Sequence, residues 1–201
     1  LNNLGTVFHV LGKLEEAQSA YQESLEICRQ IGDREGQAIA LSNLGEVAYE
    51  AGAYADAERL YQQGLDIGRD IRDQWTVMAC LNNLGEAAYA LRDNDEARRF
   101  FAEALTIAQE THTLPLVLKV LVNLAALFAR EGETNYAARL FGLARQHPAS
   151  EQATREKARR LQDEVASLPD LVAPDAAEQS LDSVVTEVLA QLTRGTIAPS
   201  L

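Results

Sequence analysis

The chain has 201 residues, with 30 acidic against 18 basic side chains and a formal net charge of −12. That balance disfavours a protein that grips nucleic acid by its phosphates, which must set Lys and Arg against them, and the longest apolar runs fall far short of the ~20 residues of a membrane-spanning helix. Ala and Leu, both strong helix formers, supply 60 of the 201 residues while aromatics are only 6%, so the expected fold is all-α.

The chain opens on Leu1-Asn2-Asn3, without an initiator Met or a basic leader, and reads as a fragment of a longer soluble protein. Leu1-Asn2-Asn3-Leu4-Gly5 then returns as Leu41-Ser42-Asn43-Leu44-Gly45, Leu81-Asn82-Asn83-Leu84-Gly85 and Leu121-Val122-Asn123-Leu124-Ala125, at a constant spacing of 40. A fixed period in this range marks stacked repeats. Other columns keep the register: Ala17, Ala57, Ala97 and Ala137; Tyr21, Tyr61, Phe101 and Phe141; Leu25, Leu65 and Leu105.

Within a unit, Leu41, Leu44, Gly45 and Ala48 fall at i, i+3, i+4 and i+7, the spacing of a helix face. A second stripe, Ala57, Leu60, Tyr61, Gly64, Leu65 and Ile67, follows after Ala51-Gly52-Ala53, so each unit is a helical hairpin. Gly12, Gly52 and Gly132 are suited to end the first helix in a left-handed residue, and in the third unit, where Arg92 stands, Asp93 and Asn94 are expected to carry the turn. Asp33, Asp73 and Thr113 are the expected N-caps of the next units, with Pro115 inside the last of these helices. The Gly of each Leu-Gly pair implies a close crossing of helix backbones.

The repeat fades where Arg145 and His147 replace apolar residues. Ser150 then opens a helix with Ala153, Ala158, Leu161, Val165 and Leu168 on one face, broken by Pro169 and Pro174. Ser180 caps a second, with Leu181, Val184, Val185, Val188, Leu189 and Leu192. The division that results is four hairpins over residues 1–147 (1–32, 33–72, 73–112 and 113–147), capping helices over 148–193 and a flexible tail over 194–201.

These columns, Asn-Leu-Gly followed by Ala, an aromatic and an apolar position, resemble the tetratricopeptide repeat in a 40-residue form. The sequence departs from the family at Ala48 and Ala88, where it prefers Tyr, at Ala125, and in lacking its closing Pro. The resemblance implies a right-handed superhelical solenoid of four hairpins plus a C-terminal helical cap, with the first helix of each hairpin lining a concave groove. The stretch from Ala137 to Gly142, through His147-Pro148-Ala149 to Ser180-Leu181-Asp182, also resembles the tail of bacterial multidomain regulators. In those proteins a STAND-type nucleotide switch or another effector domain precedes such repeats.

On a helical wheel, Ile39, Asn43, Glu46 and Glu50 lie opposite the core, so this face is the expected groove. Its Asn column is Asn3, Asn43, Asn83 and Asn123, and an amide that both donates and accepts suits the backbone of an extended peptide. The alternative is that these residues bond neighbouring helices. Glu46, Glu50 and Glu86 make the groove centre acidic while Lys119 and Arg130 make its far end more basic, which favours a basic or mixed-charge guest. His9, Tyr49 and Tyr89 share a column at the flank, where an aromatic either stacks on a ligand or packs on the next hairpin. Trp75 is expected to cover an inter-repeat turn.

No phosphate-cradling glycine loop, His-Glu-x-x-His, calcium loop or nucleophile elbow is found, and His9, His112 and His147 share no column, so neither enzyme activity, a metal nor a cofactor is expected. Cys28 and Cys80 stand in small or apolar columns and are expected to be buried, which with the absence of a disulfide framework suggests the cytoplasm. The sequence supports a protein-interaction scaffold that binds an extended peptide or a partner helix in the concave groove, with no nucleic acid or membrane partner. An effector-sensing module for a small molecule and a spacer for intramolecular docking remain alternatives. An apolar N-terminal edge near Val7, Leu11 and Tyr21 suggests weak self-association.

Overall fold

The computed structural model describes residues 1–165 and 180–194. Among them every regular element is an α-helix: α1 (Asn2–Val10), α2 (Leu14–Ile31), α3 (Arg34–Glu50), α4 (Tyr54–Ile71), α5 (Gln74–Ala90), α6 (Asn94–Glu110), α7 (Leu114–Arg130), α8 (Thr134–Gln146), α9 (Gln152–Glu164) and α10 (Leu181–Arg194). The chain divides into two compact units, the first ending at Ala97 and the second starting at Arg98.

In the first unit each helix packs on the next, from α1 to α5, and α3 also touches α1 and α5. The repeated small and aromatic columns make the core: Ala17, Tyr21, Ala57 and Tyr61 are all at most 3% exposed. The Gly of the Leu-Gly pair has a different cause from the expected backbone crossing. A Cβ on Gly5 would stand 2.5 Å from Tyr21 Cε1, and one on Gly45 would run into the Tyr61 ring in the same way. The glycine is the seat of the aromatic on the following helix. The Tyr21 hydroxyl then reaches Thr6 Oγ1 at 3.3 Å.

Helix ends follow two rules. Gly12, Gly52 and Gly132 take positive φ, and so does Arg92 itself (φ 67°), in place of the turn expected from Asp93 and Asn94. Asp93 instead accepts from the Glu96 amide at 3.0 Å, one turn into α6. Gly32, Arg72 and His112 are left-handed as well. Asp33 caps α3 by accepting from the Gly36 amide at 2.9 Å, and Asp73 caps α5 by accepting from the Trp75 and Thr76 amides, both at 3.2 Å. Thr113 makes no cap bond to α7; its hydroxyl sits 2.9 Å from that of Thr111.

In the second unit α7 packs on α8, and α9 packs on both. From Leu116 to Ala129 every residue of α7 but Lys119 is buried, as an apolar helix enclosed on several sides requires. Phe128 meets Tyr136 edge to face, with ring centroids 5.1 Å apart. α9 turns Thr154, Ala158 and Gln162 inward, while Ala153, expected on that face, is exposed and Ser150 is buried without capping the helix. Arg145 reaches Gln162 at 2.9 Å, so the break in the repeat serves to hold α9. α10 buries Leu181, Val184, Val185, Val188 and Leu192, donates its Ser183 amide to the Ser180 hydroxyl oxygen at 3.3 Å, and is tied to the α8 hairpin by Arg139–Glu187 at 2.5 Å and by Gln191 donating to Glu133. Leu168, Pro169, Pro174 and residues 195–201, part of the expected tail, lie outside the described residues.

Candidate functional site

A helix turns 100° per residue, so Glu35, Ile39, Asn43, Glu46 and Glu50 occupy one sector of about 80° on α3, and Trp75, Ala79, Asn83, Glu86 and Ala90 occupy the same sector on α5. The core residues Leu41, Leu44 and Gly45 lie on the opposite side, all buried. Of the ten sector residues only Asn83 is buried. Since α1 touches α3 and α3 touches α5, the first unit carries Asn3, Asn43 and Asn83 as a row on three successive helices.

The row is not uniformly open. Asn3 is exposed and Asn43 half-buried, Asn83 is 8% exposed and, in the second unit, Asn123 on α7 is 4% exposed. The Asn83 carbonyl accepts from Asn82 Nδ2 at 3.3 Å, and that same amide donates to Glu86 Oε1 at 3.0 Å. Asn83 is thus engaged within its own helix, and Asn43 is the more accessible of the two on α3 and α5.

The acids gather. Burial, with the charges of Glu46 and Glu86 next in effect, pushes the Tyr61 phenol far above its ordinary range. Glu50 Oε1 stands 3.0 Å from His9 Nε2 and links α3 to α1. Tyr49 packs on Tyr54 of its own hairpin, centroids 5.1 Å apart at 60°. Tyr89 is half-buried, and on α7 so are Lys119 and Arg130. Tyr21, expected at the apolar N-terminal edge, is buried beneath Gly5; the exposed edge is Leu1, Leu4, Val7, Val10 and Leu11.

Two large apolar residues of the sector are exposed, Ile39, which belongs to the expected groove face, and Trp75, for which only a place over the inter-repeat turn is expected from the sequence. Trp75, whose amide is held at the inter-repeat joint by Asp73, is 61% exposed, and Ile39 is 44% exposed. The wheel that places Asn43 and Glu46 already places both, since they are one and two turns from the Asn row. Both thiols are buried: Cys28 is 8% and Cys80 1% exposed, and burial pushes the Cys80 thiol up to about 12.

Apart from this sector, a cleft of about 270 Å³ opens between α2, α3 and α4, floored by Leu44, Val47, Ala48 and Leu60 and edged by Gln18, Gln22, Asp56 and Arg59; it shares no residue with the Asn row. Among the described residues no group of three His, Cys, Asp or Glu side chains could hold a metal ion, and no helix is long and apolar enough to cross a membrane.

No curated protein matches the sequence. Among solved structures the chain is similar to nearly identical TPR-like repeats, described as kinesin light chain, from Podosopora anserina. That match has a TM-score of 0.63 and 19% identity over 96% of this chain and 94% of that one, a likeness of fold. The family profile of the tetratricopeptide repeat matches residues 1–70 and 77–146. With its hairpin helices, its left-handed closers and its small-on-aromatic core in one 40-residue register, the chain belongs to the tetratricopeptide-repeat family.

Proposed function

We propose that the chain is a protein-interaction module without catalytic chemistry, which holds an extended segment of a partner protein across α1, α3 and α5 of the first unit. Tetratricopeptide repeats in general mediate protein–protein interaction. The observation that carries the reading to this face is the row Asn3, Asn43 and Asn83 on three touching helices, flanked by Glu46, Glu50 and Glu86, with no Lys or Arg at the sector positions of α3 and α5. Amides meet the backbone of any extended chain, and carboxylates select its charge. The resemblance of residues 137–182 to regulator tails supports a place in a larger, cytoplasmic bacterial signalling protein.

An immobilised peptide array tests the reading. The protein should retain extended basic peptides over acidic ones, and Asn43→Ala should weaken retention about tenfold, the effect of losing roughly 1.4 kcal/mol of hydrogen bonding. Because Asn43 is half-buried and outside the core, the melting temperature should stay within about 2 °C. Retention untouched by Asn43→Ala would refute this use of the row.

The cleft between α2, α3 and α4 favours a second reading, in which a small effector is sensed. A small molecule that raises the melting temperature of the wild type, and fails to do so for Ala48→Phe, would select it over the first.

A further inference from the structure

The Asn row divides its sector into two unlike rims. Towards the helix N-termini lie Ile39 and Ala79, one turn away at about 6 Å, and Trp75, two turns away at about 12 Å. Towards the C-termini lie Glu46 and Glu86, about 4.5 Å from the row, then Glu50. Ile39 at 44% and Trp75 at 61% are the large apolar side chains left exposed on α3 and α5. The point of attachment of Trp75 is fixed, because its amide is held by the Asp73 cap at 3.2 Å. An exposed aromatic on a rigid helix is the kind of residue that anchors an interface.

An extended chain projects successive side chains to opposite sides. Lying along the Asn row, it would send alternate residues to the apolar rim and the rest to the acidic one. On the reading of the row as a peptide site, we propose that the first unit recognises a segment in which apolar and basic side chains alternate. The apolar ones seat on Ile39, Ala79 and Trp75 and the basic ones face Glu46, Glu86 and Glu50.

Charge argues for this occupant. Residues 1–97 hold seventeen acids against seven bases, a net −10, whereas residues 98–201 hold thirteen against eleven, a net −2. The field is thus concentrated on the unit that carries the row. Glu35, level with Trp75, keeps even the apolar rim negative, so an acidic neighbour to the anchoring residue is disfavoured. Glu86 already accepts from Asn82; what the guest meets is the carboxylate charge. The charges of Glu46 and Glu86 both raise the Tyr61 phenol, so each is felt in this part of the unit.

Three Ser-flanked peptides decide the matter, titrated into the full chain by fluorescence anisotropy: alternating Leu and Lys, the same residues in two blocks, and alternating Leu and Glu. The alternating Leu-Lys peptide should bind at least tenfold tighter than the block peptide, and the Leu-Glu peptide should not bind. Trp75→Ala should weaken the alternating peptide about tenfold or more without moving the melting temperature. Glu46→Gln with Glu86→Gln, which keeps the hydrogen bonding, should weaken it and flatten its salt dependence. Equal binding of alternating and block peptides that is still lost in Asn43→Ala would overturn the alternation and leave the peptide row standing. Binding indifferent to Trp75→Ala, to the Glu pair and to Asn43→Ala would overturn both.

Discussion

Gly45 and Tyr61 show how one repeat position governs another sixteen residues on. The ring of α4 occupies the place where a Cβ of α3 would stand, as it does for Gly5 and Tyr21. Gly45→Ala should therefore destabilise the protein by about 1–3 kcal/mol through overpacking, measured by urea unfolding, and Tyr61→Leu in the same chain should restore part of the loss. The phenols give a second residue-scale expectation. Tyr61 is raised far above its ordinary range by burial and by Glu46 and Glu86, and Tyr136 is pushed up to about 12, by burial first and then Glu187. Both are neutral in the folded chain at a pH where the unfolded chain ionises them near 10. Their contribution is then complete below pH 10 and is lost as pH rises through the folded values. Stability should be level from pH 7 to 9 and fall above 10, with a shallower fall in Tyr61→Phe/Tyr136→Phe. The buried Cys80 thiol, raised to about 12, adds to the same slope from about pH 9.

At the scale of elements, the inter-hairpin joints carry opposing preferences. Arg72 closes α4 with φ 57°, a conformation that strains any residue with a side chain, and Asp73 then caps α5 with both carboxylate oxygens. Arg72→Gly should raise stability by about 1 kcal/mol, and Asp73→Ala should lower it by about 1 kcal/mol, both read from denaturant midpoints. Much of α3, α4 and α5 was readable in advance from the 3.6-residue spacing, and Asp33 and Asp73 cap where their residue type suggested. Thr113 does not; its hydroxyl lies instead against that of Thr111, and no property of the α7 sequence alone discloses that. The same holds for α7, whose near-complete burial follows from α8 and α9 packing on it. Phe128→Ala, 0% exposed and set against Tyr136, should cost about 3–5 kcal/mol.

For the whole molecule, the apolar face of α1, continued by Leu11, is a broad exposed apolar surface among the described residues. Leu4, Val7, Val10 and Leu11 are 47%, 53%, 82% and 65% exposed. We expect weak, concentration-dependent self-association through this face, visible by sedimentation velocity and abolished in Val7→Ser/Leu11→Ser. A chain that stays monomeric at high concentration would remove that expectation. The uneven charge, −10 in the first 97 residues against −2 in the remainder, makes association with any basic partner steep in salt.

Read as a linear pattern, the 40-residue period and the helical spacing suffice for the helices, the hairpin order and the small-residue columns, because these depend on contacts a few residues apart and recur in every unit. Burial does not recur in this way. Asn3, Asn43, Asn83 and Asn123 are equivalent in register, yet they run from exposed to 4% exposed, and Glu35, Trp75 and Pro115 share a column with no chemistry in common. Which Asn is accessible, how far Trp75 is exposed, and that Gly45 yields to a ring and not a backbone were decided by tertiary packing. Exposure is a property of what neighbours a side chain in space, and a repeat register names only its place along the helix.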